Sequence, residues 1–238
     1  MKVNSFLVAI LMAISPFFVS AQGDYWQGGL FIGATAFSGD INPQSTPDVS
    51  DISLAFGISG KVDVAPKIGF KGSLNYVQLV GDDFNYEVRQ SRGFRFNTTI
   101  FELTGVAEWE PFGSDRYYSD AGGNLVMDRI ISPYVYAGLG VGFANLETDF
   151  SRYEGSNPLI AQGISADRME GSNQVAFLVP IGVGVKVDLT NKISVALDIG
   201  GRISFSDYLD GISQSASPDR DDTYIIGGIN LLYRFFYK

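Results

Sequence analysis

Two residue types on which much enzyme chemistry depends are missing from this sequence of 238 residues, which contains no histidine and no cysteine. Histidine is a common general base and metal ligand, and cysteine supplies thiolate nucleophiles and disulfides. A carboxylate pair such as Glu102 and Glu108 has the residue types for acid–base catalysis, but no catalytic motif surrounds it. We therefore expect no enzymatic activity, no cofactor and no small-molecule substrate.

Acidic clusters are a second candidate site, because calcium binds to carboxylate oxygens. One is Asp82-Asp83, and the other comprises Asp219, Asp221 and Asp222. Neither matches a defined calcium-binding loop, so we interpret both as solvated surface charge and predict no metal site. The net charge of −9 argues against a nucleic-acid partner, since proteins that bind nucleic acids carry a basic surface.

A third set of charged residues falls at alternate positions within otherwise apolar stretches. A period of two places such residues on one face of a β-strand. If that face lines a lumen, the charges pair with one another, because an unpaired buried charge is costly. Lys186 with Asp188, and Asp198 with Arg202, are close enough to pair. The predicted lumen network comprises Lys61, Asp63, Lys71, Glu102, Lys186, Asp188, Asp198, Arg202 and Arg234. An ion or proton path along these residues is the alternative.

The strand signal that positions this network is strongest over Gln174–Ser206. Alternate residues from Val175 to Val187, and again from Ile193 to Phe205, are aliphatic or aromatic, while the residues between them are small, polar or charged. This pattern predicts a long hairpin with one apolar face. Further strands are predicted over Tyr25–Ser38, Ile52–Val64, Lys67–Val80, Phe94–Trp109, Pro133–Asn145 and Thr223–Lys238. In the first of these, both faces contain apolar residues and the inward face is not assigned.

The connections between the predicted strands alternate in length, which is typical of outer-membrane barrels. Long connections cover 39–51, 81–93, 146–172 and 207–222, whereas the connections between them are the short turns 65–66 and 189–191 and the medium segment 110–132. The fold predicted for residues 22–238 is therefore an all-β, eight-stranded antiparallel up-and-down transmembrane β-barrel. No pronounced helix signal follows the first twenty residues.

A soluble lipocalin-type barrel is the main alternative, because alternation alone does not say which face is wet. The charged face argues against an apolar ligand cavity and favours an exterior in contact with outer-membrane lipid. Aromatic residues also collect at strand ends, as interfacial girdles do. They are Tyr25, Trp26, Tyr76, Trp109, Tyr134, Tyr233, Phe235 and Tyr237.

Residues 1–21 have the features of a secretory signal peptide. Lys2 supplies the positive start, Phe6–Ile14 is an apolar run, and Val19-Ser20-Ala21 suits cleavage after Ala21. The apolar run is short for a helical membrane anchor and is followed by Pro16. We expect export and insertion into the outer membrane.

One run of residues resembles a known family. The stretch Gly201–Ser213, in particular Asp207, Tyr208, Leu209 and Asp210, resembles the late-barrel motif of the PorG-like outer-membrane barrels. Similar stretches are Gly33–Asn42, Glu102–Phe112 and Pro133–Phe143. The PorG-like family is associated with the type nine secretion system and gliding motility, and its members are thought to tie periplasmic ring components to the outer membrane.

The resemblance implies a non-enzymatic anchor or scaffold whose partners are periplasmic proteins of a secretion machine. Segment Glu110–Ser132 is the sizeable segment on the predicted periplasmic side, and we hypothesise that it contacts such a partner; a plain long turn is the alternative. Two other functions stay open: an OmpA- or OmpX-like barrel acting in adhesion or envelope integrity, and a narrow channel.

Overall fold

The computed structural model describes residues 25–38, 51–85, 87, 90–113, 117–119, 125–127, 130–155, 157–205, 209, 211–212, 215 and 222–236. The predicted signal peptide, the motif residues Asp207, Tyr208 and Asp210, and the acidic residues Asp219 and Asp221 lie outside these ranges.

Eight strands form a closed antiparallel barrel, which confirms the predicted fold. They are β1 (Tyr25–Ser38), β2 (Ile52–Ala65), β3 (Ile68–Asp82), β4 (Arg95–Trp109), β7 (Ile131–Asp149), β8 (Asn173–Asp188), β9 (Ile193–Ser204) and β10 (Thr223–Phe236). Around the ring their order is β1-β10-β9-β8-β7-β4-β3-β2, so consecutive barrel strands are neighbours. The barrel closes where Tyr25 of β1 pairs with Phe236 of β10.

Two elements stand outside the barrel wall. Strands β5 (Tyr117–Ser119) and β6 (Leu125–Met127) pair with each other as a separate two-stranded sheet between β4 and β7. Helix α1 (Pro158–Glu170) lies between β7 and β8. We call the barrel end that carries β5–β6, Pro66–Lys67 and residues 189–192 the inner end, and the opposite end the outer end. No helix in the described ranges combines the length and the apolar character needed to cross a membrane.

Helix α1 corrects the prediction of an irregular connection over 146–172. Asn157 accepts a hydrogen bond from the backbone N–H of Leu159 and caps the helix, and Pro158 occupies its first turn. Ile164 is buried against the barrel interior, so packing stabilises a helix that contains a helix-weakening Gly163. Strand β7 also extends four residues beyond the predicted end at Asn145, to Asp149.

The two faces of the barrel wall differ as the alternation predicts. Phe177 and Leu197 face outwards with 68% and 63% of their surface exposed, whereas Lys186 and Arg202 on the same hairpin are 1% and 6% exposed. A soluble ligand-carrying barrel needs the opposite arrangement, with a polar exterior and an apolar cavity. The structure therefore excludes the lipocalin-type alternative.

In the outer half of the barrel, however, many of the inward-facing residues are apolar as well. Together with residues from the connections they form one buried cluster, which we call the outer core. It comprises Phe37, Ala55, Val77, Leu79, Phe94, Phe96, Ile100, Ala144, Leu146, Phe150, Ile164, Ala176, Leu178, Leu209, Ile212, Tyr224 and Ile226.

Candidate functional site

The inner half of the lumen is built around buried ammonium groups. Lys61 Nζ lies 2.8 Å from Glu108 Oε2, 2.6 Å from Glu110 Oε1 and 3.3 Å from Asp63 Oδ1. Lys71 Nζ lies 2.7 Å from Glu108 Oε1. Because these side chains come from β2, β3 and β4, the network joins neighbouring strands. Together with Lys186, Asp188 and Arg234, these charged residues form the inner lumen.

Glu110 completes this network from outside the barrel wall. It follows β4 directly, yet its side chain is buried in the inner mouth of the barrel. Its carboxylate accepts hydrogen bonds from Lys61, from Lys186 Nζ at 2.9 Å and from Ser132 Oγ at 2.8 Å. Glu110 was not predicted as a lumen residue, because it lies in a segment predicted to be irregular. A signal was present: Glu108 and Glu110 continue the inward parity of β4.

A second ion pair closes the inner lumen on the side of β8 and β10. Arg234 Nη2 donates to Asp188 Oδ1 at 2.6 Å, and both side chains are buried. Asp188 Oδ1 also accepts from Ser194 Oγ at 2.6 Å. The inner lumen therefore comprises Lys61, Asp63, Lys71, Glu108, Glu110, Lys186, Asp188 and Arg234.

Further up the barrel, Glu102 and Arg202 mark the border with the outer core. Arg202 Nε lies 3.5 Å from Glu102 Oε2, and Asn75 Nδ2 donates to the same oxygen at 3.2 Å. Tyr224, a member of the outer core, donates its hydroxyl to Glu102 Oε1. The buried carboxylate of Glu102 therefore has both a charged partner and neutral partners.

The structure gives other partners to the two pairs that the sequence suggested, Lys186 with Asp188 and Asp198 with Arg202. Lys186 bonds to Glu110 rather than Asp188, and Arg202 lies beside Glu102. Asp198 accepts hydrogen bonds from the Tyr134 hydroxyl and from Asn230 Nδ2. The physical reason is that the lumen is narrow: β8 and β9 are separated from β4 by one and two strands, so these side chains meet across the lumen, whereas residues i and i+2 of one strand are about 6.6 Å apart.

Inward-facing glycines of β8 and β9 make room for the two tyrosines of the lumen. A Cβ atom at Gly184 would meet the ring of Tyr134, and one at Gly182 or Gly200 would meet Tyr136. The tyrosine rings lie near Lys71 Nζ, which is 5.2 Å from the centre of the Tyr136 ring. The glycine-rich pattern of these strands therefore reflects packing of aromatic rings.

The space left inside the lumen is small. A cavity of about 40 Å³ lies between Lys71, Asn75, Asp198, Arg202 and Asn230. Such a volume holds one or a few water molecules, and its polar lining suits them. At eight strands a barrel interior is filled by its own side chains. In the described part of the chain, the lumen around this cavity is thus suited to rigid packing.

Two acidic residues that we predicted to be solvated are in fact buried. Asp83 accepts hydrogen bonds from Arg92 Nε at 2.7 Å and from the backbone N–H of Phe94 at 2.9 Å. Asp222 Oδ2 accepts from the backbone N–H of Leu209 at 2.8 Å. Both carboxylates therefore organise connections at the outer end. No cluster of acidic side chains that could hold a metal ion occurs within the described part of the chain.

The sequence of the whole barrel matches a known family. Residues 4–238 match the family described as a domain of unknown function (DUF6089). The chain belongs to the DUF6089 family. No curated protein matches it in sequence. Of the four residues singled out in the PorG-like stretch of this DUF6089 member, Leu209 lies in the described part of the chain, and it is buried in the outer core.

Several solved outer-membrane proteins are similar to this chain in structure. The Neisserial surface protein A (NspA) is 11% identical over 90% of this chain and 98% of its own, with a TM-score of 0.47. A major outer membrane protein from Thermus thermophilus is 13% identical over 88% and 99%, with a TM-score of 0.47. Ail, the attachment invasion locus protein of Yersinia pestis, is 11% identical over 89% and 98%, with a TM-score of 0.44.

Proposed function

We propose that this chain is a non-enzymatic outer-membrane barrel that anchors periplasmic components of a type nine secretion machine. The observation that carries the proposal is the contrast between an apolar exterior and a fully packed interior. A wall with outward Phe177 and Leu197 suits contact with hydrocarbon, and a lumen filled largely by ion pairs and an apolar core supports a role other than transport. The barrel would therefore provide a fixed position in the membrane.

The edges of the apolar exterior support insertion in a bilayer. At the inner end, Trp26 stacks on Phe235 with ring centres 4.1 Å apart, and Trp109 is exposed at the same end of the barrel. Aromatic side chains prefer this interfacial level. Towards the outer end, the outward residues of β7 change from apolar Phe143 to polar Asn145 and Glu147. The apolar exterior is thus bordered at both the inner and the outer end, as a membrane-spanning barrel requires.

The inner end provides the attachment point for the periplasmic components. Segment Glu110–Ser132 carries the β5–β6 ribbon, and Glu110 ties the base of this segment to Lys61 and Lys186 inside the barrel. A partner bound to the ribbon would therefore pull on the barrel wall through buried ion pairs. The resemblance of Gly201–Ser213 to PorG-like proteins supports a secretion-machine component as this partner.

Crosslinking in intact cells, followed by identification of the captured proteins, tests the anchor function. The full chain should capture periplasmic secretion-machine proteins, and deletion of 113–129 should abolish their co-purification. Because Glu110 and Ser132 are retained, the deletion variant should still be a heat-modifiable, membrane-inserted barrel. The matched control is a deletion of 43–49, between β1 and β2, at the opposite end. Undiminished co-purification after deletion of 113–129 would overturn the proposal.

A second function, adhesion or envelope integrity through the outer end, is favoured by one observation. Described parts of two outer connections are packed: α1 packs on the outer core through Ile164, and Asp167 accepts hydrogen bonds from Ser215. Such a surface would be rigid enough to recognise a partner. This function predicts that deletion of 113–129 has no effect, whereas deletion of 158–170 impairs adhesion or envelope integrity.

A further inference from the structure

The outward face of the barrel wall carries an apolar groove with a volume of about 610 Å³. Val185 and Leu197 border it on the side of the inner end, and its lining is almost entirely apolar. Pockets that bind small molecules have volumes of about 300–1,000 Å³. The groove is therefore large enough for a ligand, and it opens on the face of the wall that contacts lipid.

The groove follows one row of paired residues across five neighbouring strands of the ring. The row begins at Trp109 of β4 and ends at Gly227 of β10, and the residues between them, each paired with the next, are Val135, Val183 and Ile199. Because the row crosses four spacings of about 4.8 Å between strands, its length is about 19 Å.

The row rises from the inner end of the barrel towards the middle of the wall. Trp109 is the last residue of β4, whereas Gly227 lies well inside β10, whose inner end is Phe236. With strands tilted by about 45°, a row of about 19 Å perpendicular to them climbs about 13 Å through the membrane. One leaflet of a hydrocarbon core of about 30 Å is about 15 Å thick. The groove therefore has the length and the direction of one acyl chain in the leaflet at the inner end.

Exposed charge at the inner end is positive in the part of the chain that the structure describes. It consists of Lys67 and Lys192, whereas the acidic side chains there, Glu108 among them, are buried. Lys67 directly precedes Ile68 of β3, which pairs with Trp109, so this lysine lies next to the inner end of the groove. An ammonium group near the membrane surface attracts anionic lipid headgroups.

We propose that the groove binds one acyl chain of an anionic glycerophospholipid of the inner-end leaflet, and that Lys67 holds the phosphate of this lipid. The acyl chain would lie along the row from Trp109 to Gly227, with the headgroup at the level of Trp109, where aromatic side chains border the apolar exterior. The inference rests on the membrane insertion proposed above and is independent of a periplasmic partner.

Quenching of tryptophan fluorescence by phosphatidylglycerol with brominated acyl chains, titrated into phosphatidylcholine vesicles, tests the groove. The chain has two tryptophans, and both lie at the inner end. Trp26→Phe leaves Trp109 at the groove, and Trp109→Phe leaves Trp26 as the matched reporter of bulk lipid. Half-maximal quenching of Trp109 should need a mole fraction of brominated lipid about fivefold lower, the ratio expected from one lysine near an anionic headgroup. Equal mole fractions would overturn the proposal, whereas no quenching of either tryptophan would contradict membrane insertion and the groove with it.

A pair of lysine variants in the Trp26→Phe background tests where the headgroup lies. Lys67→Gln should abolish the fivefold preference that Trp109 reports, because the phosphate loses its ammonium partner. Lys192→Gln removes the other exposed lysine of the inner end and should keep the preference. An unchanged preference in Lys67→Gln would overturn the proposal.

A pair of glycine variants in the same background tests the acyl chain. Gly227→Leu fills the groove, since a Cβ atom there meets its nearest neighbour at an ordinary 3.5 Å, and it should abolish the preference. Gly72→Leu, at an open position of β3, is the matched control and should keep it. Heat-modifiable migration in gels shows that each variant has folded. A folded Gly227→Leu that keeps the preference, or a dimer that this variant dissociates, would overturn the proposal. If Gly227→Leu does not fold, Lys67→Gln decides.

Discussion

The two halves of the lumen are filled by side chains of different chemical character. The inner lumen is filled by buried ion pairs between strands, with Glu110 as its contribution from outside the wall. The outer core is filled by apolar side chains, and connections supply Leu209, Ile212 and Ile164. The comparison shows that the wall largely determines the inner half, whereas the outer half depends on connections that fold back into the mouth.

The two fillings also differ in what they require of each residue. In the inner lumen each charge needs its partner, because an uncompensated buried charge is strongly destabilising. In the outer core the stabilisation comes from contact and from apolar area removed from water, so single truncations create a cavity but no unpaired charge. Substitutions in the two halves should therefore lower the free energy of unfolding by different amounts.

Removal of one charge from the inner lumen should have the largest effect. Glu108→Gln preserves the side-chain shape but deprives both Lys61 and Lys71 of a counter-charge at 2.8 Å and 2.7 Å. We expect the free energy of unfolding to fall by about 3–5 kcal/mol. Urea unfolding in lipid vesicles measures this change. The control Glu147→Gln, at an exposed position of β7, should stay within about 0.5 kcal/mol. Equal effects of the two variants would refute the ionic account of the inner lumen.

Truncation of a side chain in the outer core should lower the free energy of unfolding somewhat less than Glu108→Gln does. Leu178 of β8 is fully buried there, and Leu178→Ala should lower the free energy of unfolding by about 2–5 kcal/mol through lost contacts and a cavity. The same urea titration measures it. Leu159→Ala on the exposed face of α1 is the control, and its effect should not exceed about 0.5 kcal/mol. A harmless Leu178→Ala would mean that the outer half is not tightly packed.

The difference between the halves also explains what could be predicted from the sequence. In the inner half, charged residues such as Lys186 and apolar residues such as Val185 alternate, so parity alone assigns inside and outside. In the outer half this contrast is lost: inward Phe96 and Ile100 and outward Phe101 are all apolar. The alternation of apolar and polar residues therefore predicted the strands and the charged face but not the outer core.

Other parts of the candidate site could not be predicted because they depend on distant residues. Which acid pairs with Lys186 is decided by how strands from separate parts of the chain are arranged around the ring. The burial of Asp83 depends on Arg92, and that of Asp222 on Leu209. Helix α1 was missed although Asn157-Pro158 is a start signal, because its sequence shows little helical periodicity and its stability comes from packing.

The smallest effect is expected where connections bind to each other above the outer core. Ser215→Ala removes the hydrogen bond from Ser215 Oγ to Asp167 at 2.5 Å but keeps the one from the backbone N–H. The free energy of unfolding should fall by about 1 kcal/mol. Ser165→Ala, which removes an exposed hydrogen bond within α1, is the matched control and should have less effect. If both variants behave alike, this contact does not hold the connection.

The central claim is that the apolar face of the wall contacts lipid while the charged face fills a closed lumen. A nitroxide scan from Val195 to Gly200 of β9 in lipid vesicles tests it most directly, since the chain has no native cysteine to interfere. Collision rates with dissolved oxygen should be high at 195, 197 and 199 and low at 196, 198 and 200. The opposite phase, or easier access of a water-soluble nickel chelate to 197 than of oxygen, would contradict the account.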